Sequence, residues 1–260
     1  MSLTTEQLPS VGSADTRARL WTAIAATGIC VGGFLVGVLG LFAVRPAAVA
    51  AGITETDAYR LLAGNQIQVG MAAFAIVYLA VRDDWEPFVR LRVPTVRDLL
   101  WIGGLLVAVA LFSPLLHVVT DFLEPFLPAG FGHASTGGET SEPSLAGRPW
   151  LWLVAFVGMY GFAAPAEELV YRGLVQGRLR ASFDTLGVVL GGGLLFGLLH
   201  VLVGIVTPGV GLGGTLYWGF ETGLIGLLWG LAYERTENLL VTSVVHAASW
   251  TLPLSLLVPF

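Results

Sequence analysis

The sequence predicts an all-α protein that crosses a membrane repeatedly, as a polytopic bundle of about seven to eight transmembrane helices. Three observations carry that reading. Of the 260 residues 55% are hydrophobic, the mean hydropathy is +0.78, and 12% are charged, about half the roughly 25% usual in soluble domains. The apolar residues also stand in long unbroken runs, not in the alternating pattern of a barrel strand. A helix satisfies its own backbone polar groups in lipid, so such runs read as helices.

The elements follow in order, each span needing about 20 apolar residues to cross a hydrocarbon core of roughly 30 Å. Residues 1–17 are polar and contain Glu6 and Asp15. They lack the basic start of a signal peptide and read as a disordered cytoplasmic tail. Runs at about Leu20–Val44, Tyr59–Val81 and Leu99–Thr120 make an N-terminal three-span region, 18–120. Residues 121–149 are rich in Gly, Ser and Thr and read as an external loop. Its start, Phe122–Phe131, is apolar but broken by Pro125 and Pro128, which leaves open a short interfacial helix or an eighth, re-entrant element. Runs at about Trp150–Ala164, Leu186–Val206, Thr215–Tyr233 and Leu239–Val258 form the last region, 150–260.

All 13 basic residues are arginine. Without lysine there is no Walker phosphate loop, no Schiff-base enzyme and no retinal pump. Ten arginines fall on alternate loops, and only Arg45, Arg60 and Arg148 on the others. Basic residues accumulate on the inner side, so the N-terminus is expected in the cytoplasm and the protein in the cell membrane as a multi-pass chain. The formal net charge of −5 speaks against nucleic acid and leaves the lipid bilayer as the first partner. Cys30 is the single cysteine, so neither a disulfide nor a thiolate metal site is available. Glycines four apart, among them Gly28 and Gly32, Gly33 and Gly37, Gly193 and Gly197, and Gly219 and Gly223, suit close helix packing in lipid.

Polar residues within the spans carry the chemistry, because a charge at mid-bilayer costs at least roughly 2.5 to 3.5 kcal/mol. Glu167, Glu168 and Arg172 lie around the inner end of the fourth span, His200 in the fifth and His246 in the seventh. Glu168 and Arg172 share a helix face at i, i+4, where guanidinium can hold the carboxylate. Glu167 points about 100° away. Free of that cation, it is the candidate general base for activating water, with two imidazoles to complete the site. The plainer reading is a solvated helix end beside packing histidines; the coincidence of glutamates and histidines on three spans argues against it. His117 and His133 lie at or beyond the external end of the third span, and Glu221 sits just inside the sixth.

Glu167-Glu168-Leu169-Val170-Tyr171-Arg172 matches the EExxxR motif of the CPBP family, the CAAX-protease and bacteriocin-processing membrane proteins also called Abi proteins. Phe196-Gly197-Leu198-Leu199-His200 matches its FxxxH motif. His246-Ala247-Ala248-Ser249-Trp250 resembles the last motif, HxxxN or HxxxD, and keeps its histidine. The resemblance spans roughly Trp150 to Pro253. It implies a helical bundle with a cavity open to the cytoplasm, in which Glu167 and His200 activate water for peptide-bond hydrolysis. Glu168 with Arg172 would hold the motif together, and His246 would stabilise the oxyanion. It leaves two cofactor readings open: Zn²⁺ held by Glu167, His200 and His246, or no cofactor at all. Trp250 departs from the pattern, since an indole donates one hydrogen bond but offers no oxygen ligand. Ser249 and Thr251 are the neighbours able to replace the missing polar group.

The resulting expectation is an integral membrane peptidase of metalloendopeptidase type, cleaving a peptide or protein substrate near the cytoplasmic face. A prenylated C-a-a-X tail is the family's eukaryotic substrate, but the acidic, lysine-free composition resembles that of a halophilic prokaryote and makes that substrate less expected. The alternative is a non-catalytic immunity or scaffold protein of the same fold, binding a membrane peptide or partner. An ion-coupled transporter using the same residues as proton relays is a third reading. No H-E-x-x-H, G-x-S-x-G or intramembrane aspartate pair is present to suggest another protease type.

Overall fold

The computed structural model describes residues 13–82, 85–132 and 145–252. Among them it contains helices and no strand. Eight helices follow in order: α1 Ser13–Ala50, α2 Asp57–Leu62, α3 Ile67–Ala80, α4 Val96–Leu123, α5 Pro149–Leu179, α6 Thr185–Val206, α7 Leu212–Thr236 and α8 Leu239–Thr251. Their outer faces carry large exposed apolar side chains, such as Phe42, Leu194 and Phe122 (81% exposed). In water such a surface would drive association; in a bilayer it is the solvated surface.

Helices α1, α4, α5 and α6 are long and apolar enough to cross a membrane, and the pair α2–α3, bent by 52°, makes a fifth candidate. The expected count of seven to eight is not reached on that measure. Helix α7 has 25 residues but carries Glu221, Glu234 and Arg235, and α8 has 13 described residues. The expected tail meets the fold earlier than its composition suggests. Residues 13–17 already belong to α1, where Asp15 and Arg19 pair at 3.1 Å, and residues 1–12 lie outside the described residues. Phe122–Phe131 is neither an interfacial helix nor a re-entrant one. Helix α4 runs to Leu123, a single 3₁₀ turn follows at Glu124–Phe126, and Phe131 packs edge-on against Tyr217 of α7. Pro125 is the second residue of that turn, where its missing N–H costs nothing.

Backbone contact between glycines sets the closest packing. Helices α6 and α7 form the most extensive pair. A Cβ on Gly197 would lie 2.5 Å from the carbonyl oxygen of Gly219, below any real contact. Helices α1 and α3 meet the same way, with Gly70 against Gly40 and against Gly37, a member of the Gly33–Gly37 spacing. Gly28, by contrast, faces open space.

Polar locks close the ends. Thr95 and Asp98 form a capping box at the start of α4. The buried Asp98 also takes a two-pronged bond from Arg92, at 2.6 and 2.9 Å, while Arg92 reaches the carbonyl of Thr236. The loop before α4 is thereby tied to the α7–α8 turn, where Glu237 adopts φ +51°. Between these ends, one core joins Cys30 of α1, Met71 of α3, Val170, Tyr171 and Leu174 of α5, Phe196 of α6, Trp229 of α7 and Val245 of α8.

Replacing Gly197 with valine forces α6 and α7 apart. Overpacking of this kind costs typically about 1–3 kcal/mol. The expected outcome is a lower melting temperature in detergent than for Gly28→Ala, which should melt as the wild type does.

Candidate functional site

Helix α5 carries both glutamates through a proline. Pro165 has no N–H and crowds the carbonyl four residues back, yet the helix runs on without a break from Pro149 to Leu179. It does so by widening: residues Phe156–Ala163 and Leu169–Val175 are wound as π-helix, flanking one α turn at Ala164–Glu168. Such widened turns are frequent at functional sites, and here they bracket the two carboxylates.

The structure brings all five predicted side chains together. Glu168 and Arg172 are fully buried, with Arg172 Nε 3.1 Å from Glu168 Oε2. The other oxygen of Glu168 lies 2.9 Å from His246 Nδ1. An ionised carboxylate only accepts, so Nδ1 carries the proton and His246 Nε2 faces away from Glu168. His200 is set likewise, its Nδ1 2.9 Å from the carbonyl of Phe196 one turn back. A carbonyl also only accepts, so again Nε2 is the free nitrogen.

Both free nitrogens face Glu167. His200 Nε2 is 4.0 Å from Oε1, and His246 Nε2 is 3.9 Å from Oε2. Glu167 is buried, at 3% exposure. The gaps are too long for direct hydrogen bonds and invite a bridging water.

Aromatic rings wall the cluster. Phe196 stands 4.7 Å from the His200 ring and 5.9 Å from that of His246. Trp229 and Trp250 flank His246 at 4.5 and 4.3 Å, and Trp218 meets His200 at 5.3 Å. The guanidinium of Arg172 lies 4.8 Å from the centre of the Phe196 ring, a cation–π contact that partly replaces water around a buried charge. Its nitrogens nevertheless lack well-aligned hydrogen bonds.

The neighbours of Trp250 do not replace the missing polar group. Ser249 Oγ donates to the carbonyl of His246 at 2.7 Å, and Thr251 Oγ1 to that of Ala247 at 3.0 Å while meeting the hydroxyl of Tyr160. Both hydroxyls are spent on their own helix, as serine and threonine often are in apolar surroundings.

One contributor was not anticipated. Gln68 of α3 donates from Nε2 to Glu167 Oε2 at 3.1 Å. It follows the bend between α2 and α3, in the stretch Asn65-Gln66-Ile67-Gln68 inside an otherwise apolar run. That polar interruption was the available signal. His117 stands apart, 5.9 Å from the Tyr217 ring, Glu221 is half-buried on α7, and His133 lies outside the described residues.

Among the described residues, no group of three His, Cys, Asp or Glu side chains is arranged to hold a metal ion. The trio Glu167, His200 and His246 does not form such a group. Beside α5, an apolar cleft of about 470 Å³ opens between α1, α2, α3 and α5, lined by Val44, Ile53, Leu62, Gln66, Val69 and Phe162 among others.

Residues 149–251 match the family described as type II CAAX prenyl endopeptidase Rce1-like. Over this segment the chain is similar to the CPBP family. The Rce1-like segment starts with α5 and ends with α8, so it holds Glu167, Glu168, Arg172, His200 and His246 but not Gln68. Its match, with the apolar helices, supports a multi-pass membrane endopeptidase in general terms. No curated protein and no solved structure matches the chain.

The Glu168–Arg172 pair generates a prediction. Breaking a buried pair by removing one partner typically costs about 3–5 kcal/mol, whereas replacing both with apolar groups is often neutral. Glu168→Gln is therefore expected to lower the melting temperature sharply, and Glu168→Leu combined with Arg172→Met to recover much of it. Thermal unfolding of the three proteins in one detergent checks this.

Proposed function

We propose that this protein hydrolyses a peptide bond of a membrane-associated substrate, with Glu167 as general base. The observation that carries the reading is the placement of the Glu167 carboxylate. It is buried, unpaired with the neighbouring guanidinium, and faced by the free nitrogens of two histidines at distances one water can bridge.

In this mechanism a water bound between Glu167 and His200 gives one proton to Glu167 while its oxygen attacks the substrate carbonyl carbon. His200 orients it, accepting the second O–H at Nε2. Negative charge develops on the carbonyl oxygen, and His246, held at Nδ1 by the carboxylate of Glu168, is the residue placed to stabilise it once Nε2 also carries a proton. Glu167 then returns its proton to the leaving nitrogen as the C–N bond breaks. The same residue acts as base and then as acid, and no ion is required.

The apolar cleft lies against Phe162 and Ala163, one turn before the glutamates, and suits the apolar part of a substrate arriving from the bilayer. The arginine distribution supports a cytoplasmic N-terminus, which would place Glu167 towards the cytoplasmic side. A non-catalytic scaffold of the same fold is not favoured, since it leaves the convergence of Glu167, His200 and His246 without a purpose.

Purified protein is expected to cleave members of a membrane-peptide library. Glu167→Gln and His200→Ala should abolish cleavage without loss of folded protein, and a strong chelator should leave the wild-type rate unchanged. Full activity in either variant would overturn the assignment of the base and its partner, and loss of activity on chelation, restored by zinc, would overturn the ion-free mechanism.

A further inference from the structure

We propose that Gln68 is the positioning residue that aims the Glu167 carboxylate, with its own amide oxygen reserved for the reacting water. The proposal deepens the functional reading above and rests on it.

Glu167 stands on a helix that holds it only by its backbone. Its side chain is free of Arg172, whose guanidinium faces Glu168, and its distances to His200 and His246 are too long for direct bonds. Gln68 Nε2, at 3.1 Å from Oε2, is the donor the structure aims at it. Pinning Oε2 turns Oε1 towards His200, where the water is activated. Without that donor the carboxylate is free to rotate about its last bonds, since terminal sp³–sp² torsions are broad.

Gln68 is itself held tightly. It is 5% exposed, on α3 just past the 52° bend, and α3 is fastened to α1 through the Gly40–Gly70 contact. The N-terminal helices thus deliver a single amide into a site otherwise built from α5, α6 and α8.

The second half of the amide carries the inference further. Gln68 Oε1 is buried and accepts no hydrogen bond from the protein. A buried orphan acceptor is costly, and such groups normally find a donor or an ordered water. An amide oxygen lies beside its nitrogen, and that nitrogen already touches Glu167. A water bound to Glu167 can therefore donate its other proton to Gln68 in the resting enzyme and pass to His200 as it attacks. No amide is available from α8, where Trp250 stands and the hydroxyls of Ser249 and Thr251 are spent. The charged and titratable groups around Glu167 are His200, His246, Arg172, Glu168 and Tyr171; Gln68 is a neutral addition to them.

The test uses full-length protein in detergent, as wild type, Gln68→Met and Gln68→Asn. Methionine keeps the length and removes both halves of the amide; asparagine keeps the amide and withdraws it by one methylene. The infrared carboxylate bands of Glu167 are isolated by subtracting the spectrum of Glu167→Gln made in each background. The expected result is a band displaced from its wild-type position in both Gln68 variants, at unchanged melting temperature. On a library peptide that the wild type cleaves, kcat should fall roughly ten- to a hundredfold, the size of a lost hydrogen bond to a charged group, with KM retained. An unmoved band, or an unmoved kcat in an enzyme that Glu167→Gln inactivates, would overturn the proposal. If no peptide is cleaved by the wild type, the functional reading loses its support while the band still decides whether Gln68 holds Glu167.

Discussion

The buried contact among Arg172, Glu168 and His246 is the constraint on which the rest of the site depends. A guanidinium and a carboxylate with no exposure to solvent are costly in themselves, and their attraction offsets that cost only if the geometry is held and further partners are supplied. The fold supplies them from other helices: His246 of α8 takes the second oxygen of Glu168, and Phe196 of α6 covers the guanidinium. Three helices are thus registered by one pair. The same bond fixes the proton on His246 Nδ1 and turns Nε2 to Glu167, so the structural carboxylate also sets the face shown by its neighbour's imidazole.

Widening of α5 carries the helix past Pro165 without a break. A regular helix through Pro165 would carry a kink. Around Pro165 the helix is π-wound on either side, and Glu167 and Glu168 serve different partners although they are adjacent. One looks to the ion pair and the other to the histidines. The division of labour between two identical side chains is made by their surroundings.

Close backbone packing serves the same end. The α6–α7 and α1–α3 pairs approach through glycines, where packing in lipid must come from contact and not from expulsion of water. The first pair places His200 beside Trp218 and Phe196, and the second seats α3 so that Gln68 reaches α5. Bonds from Arg92 to Asp98 and Thr236 tie the start of α4 to the end of α7.

Much of this was legible in the order of residues. Long apolar runs specify helices in lipid because no other backbone is satisfied there, and the i, i+4 spacing of Glu168 and Arg172 specifies their pairing because a helix makes neighbours of residues four apart. Glu167, His200 and His246 stood out for a related reason: charges and imidazoles in apolar runs are expensive, so they are kept where they are used. Only the tertiary structure decided what lies between segments. That His246 is held by Glu168, that the hydroxyls beside Trp250 are already committed, and that Gln68 reaches Glu167 from 99 positions away are facts of how helices meet. No local spacing encodes them. The bend before α3 and the turn that replaces a separate helix after α4 belong to the same class, because each depends on the surface of a partner helix and not on the periodicity of its own.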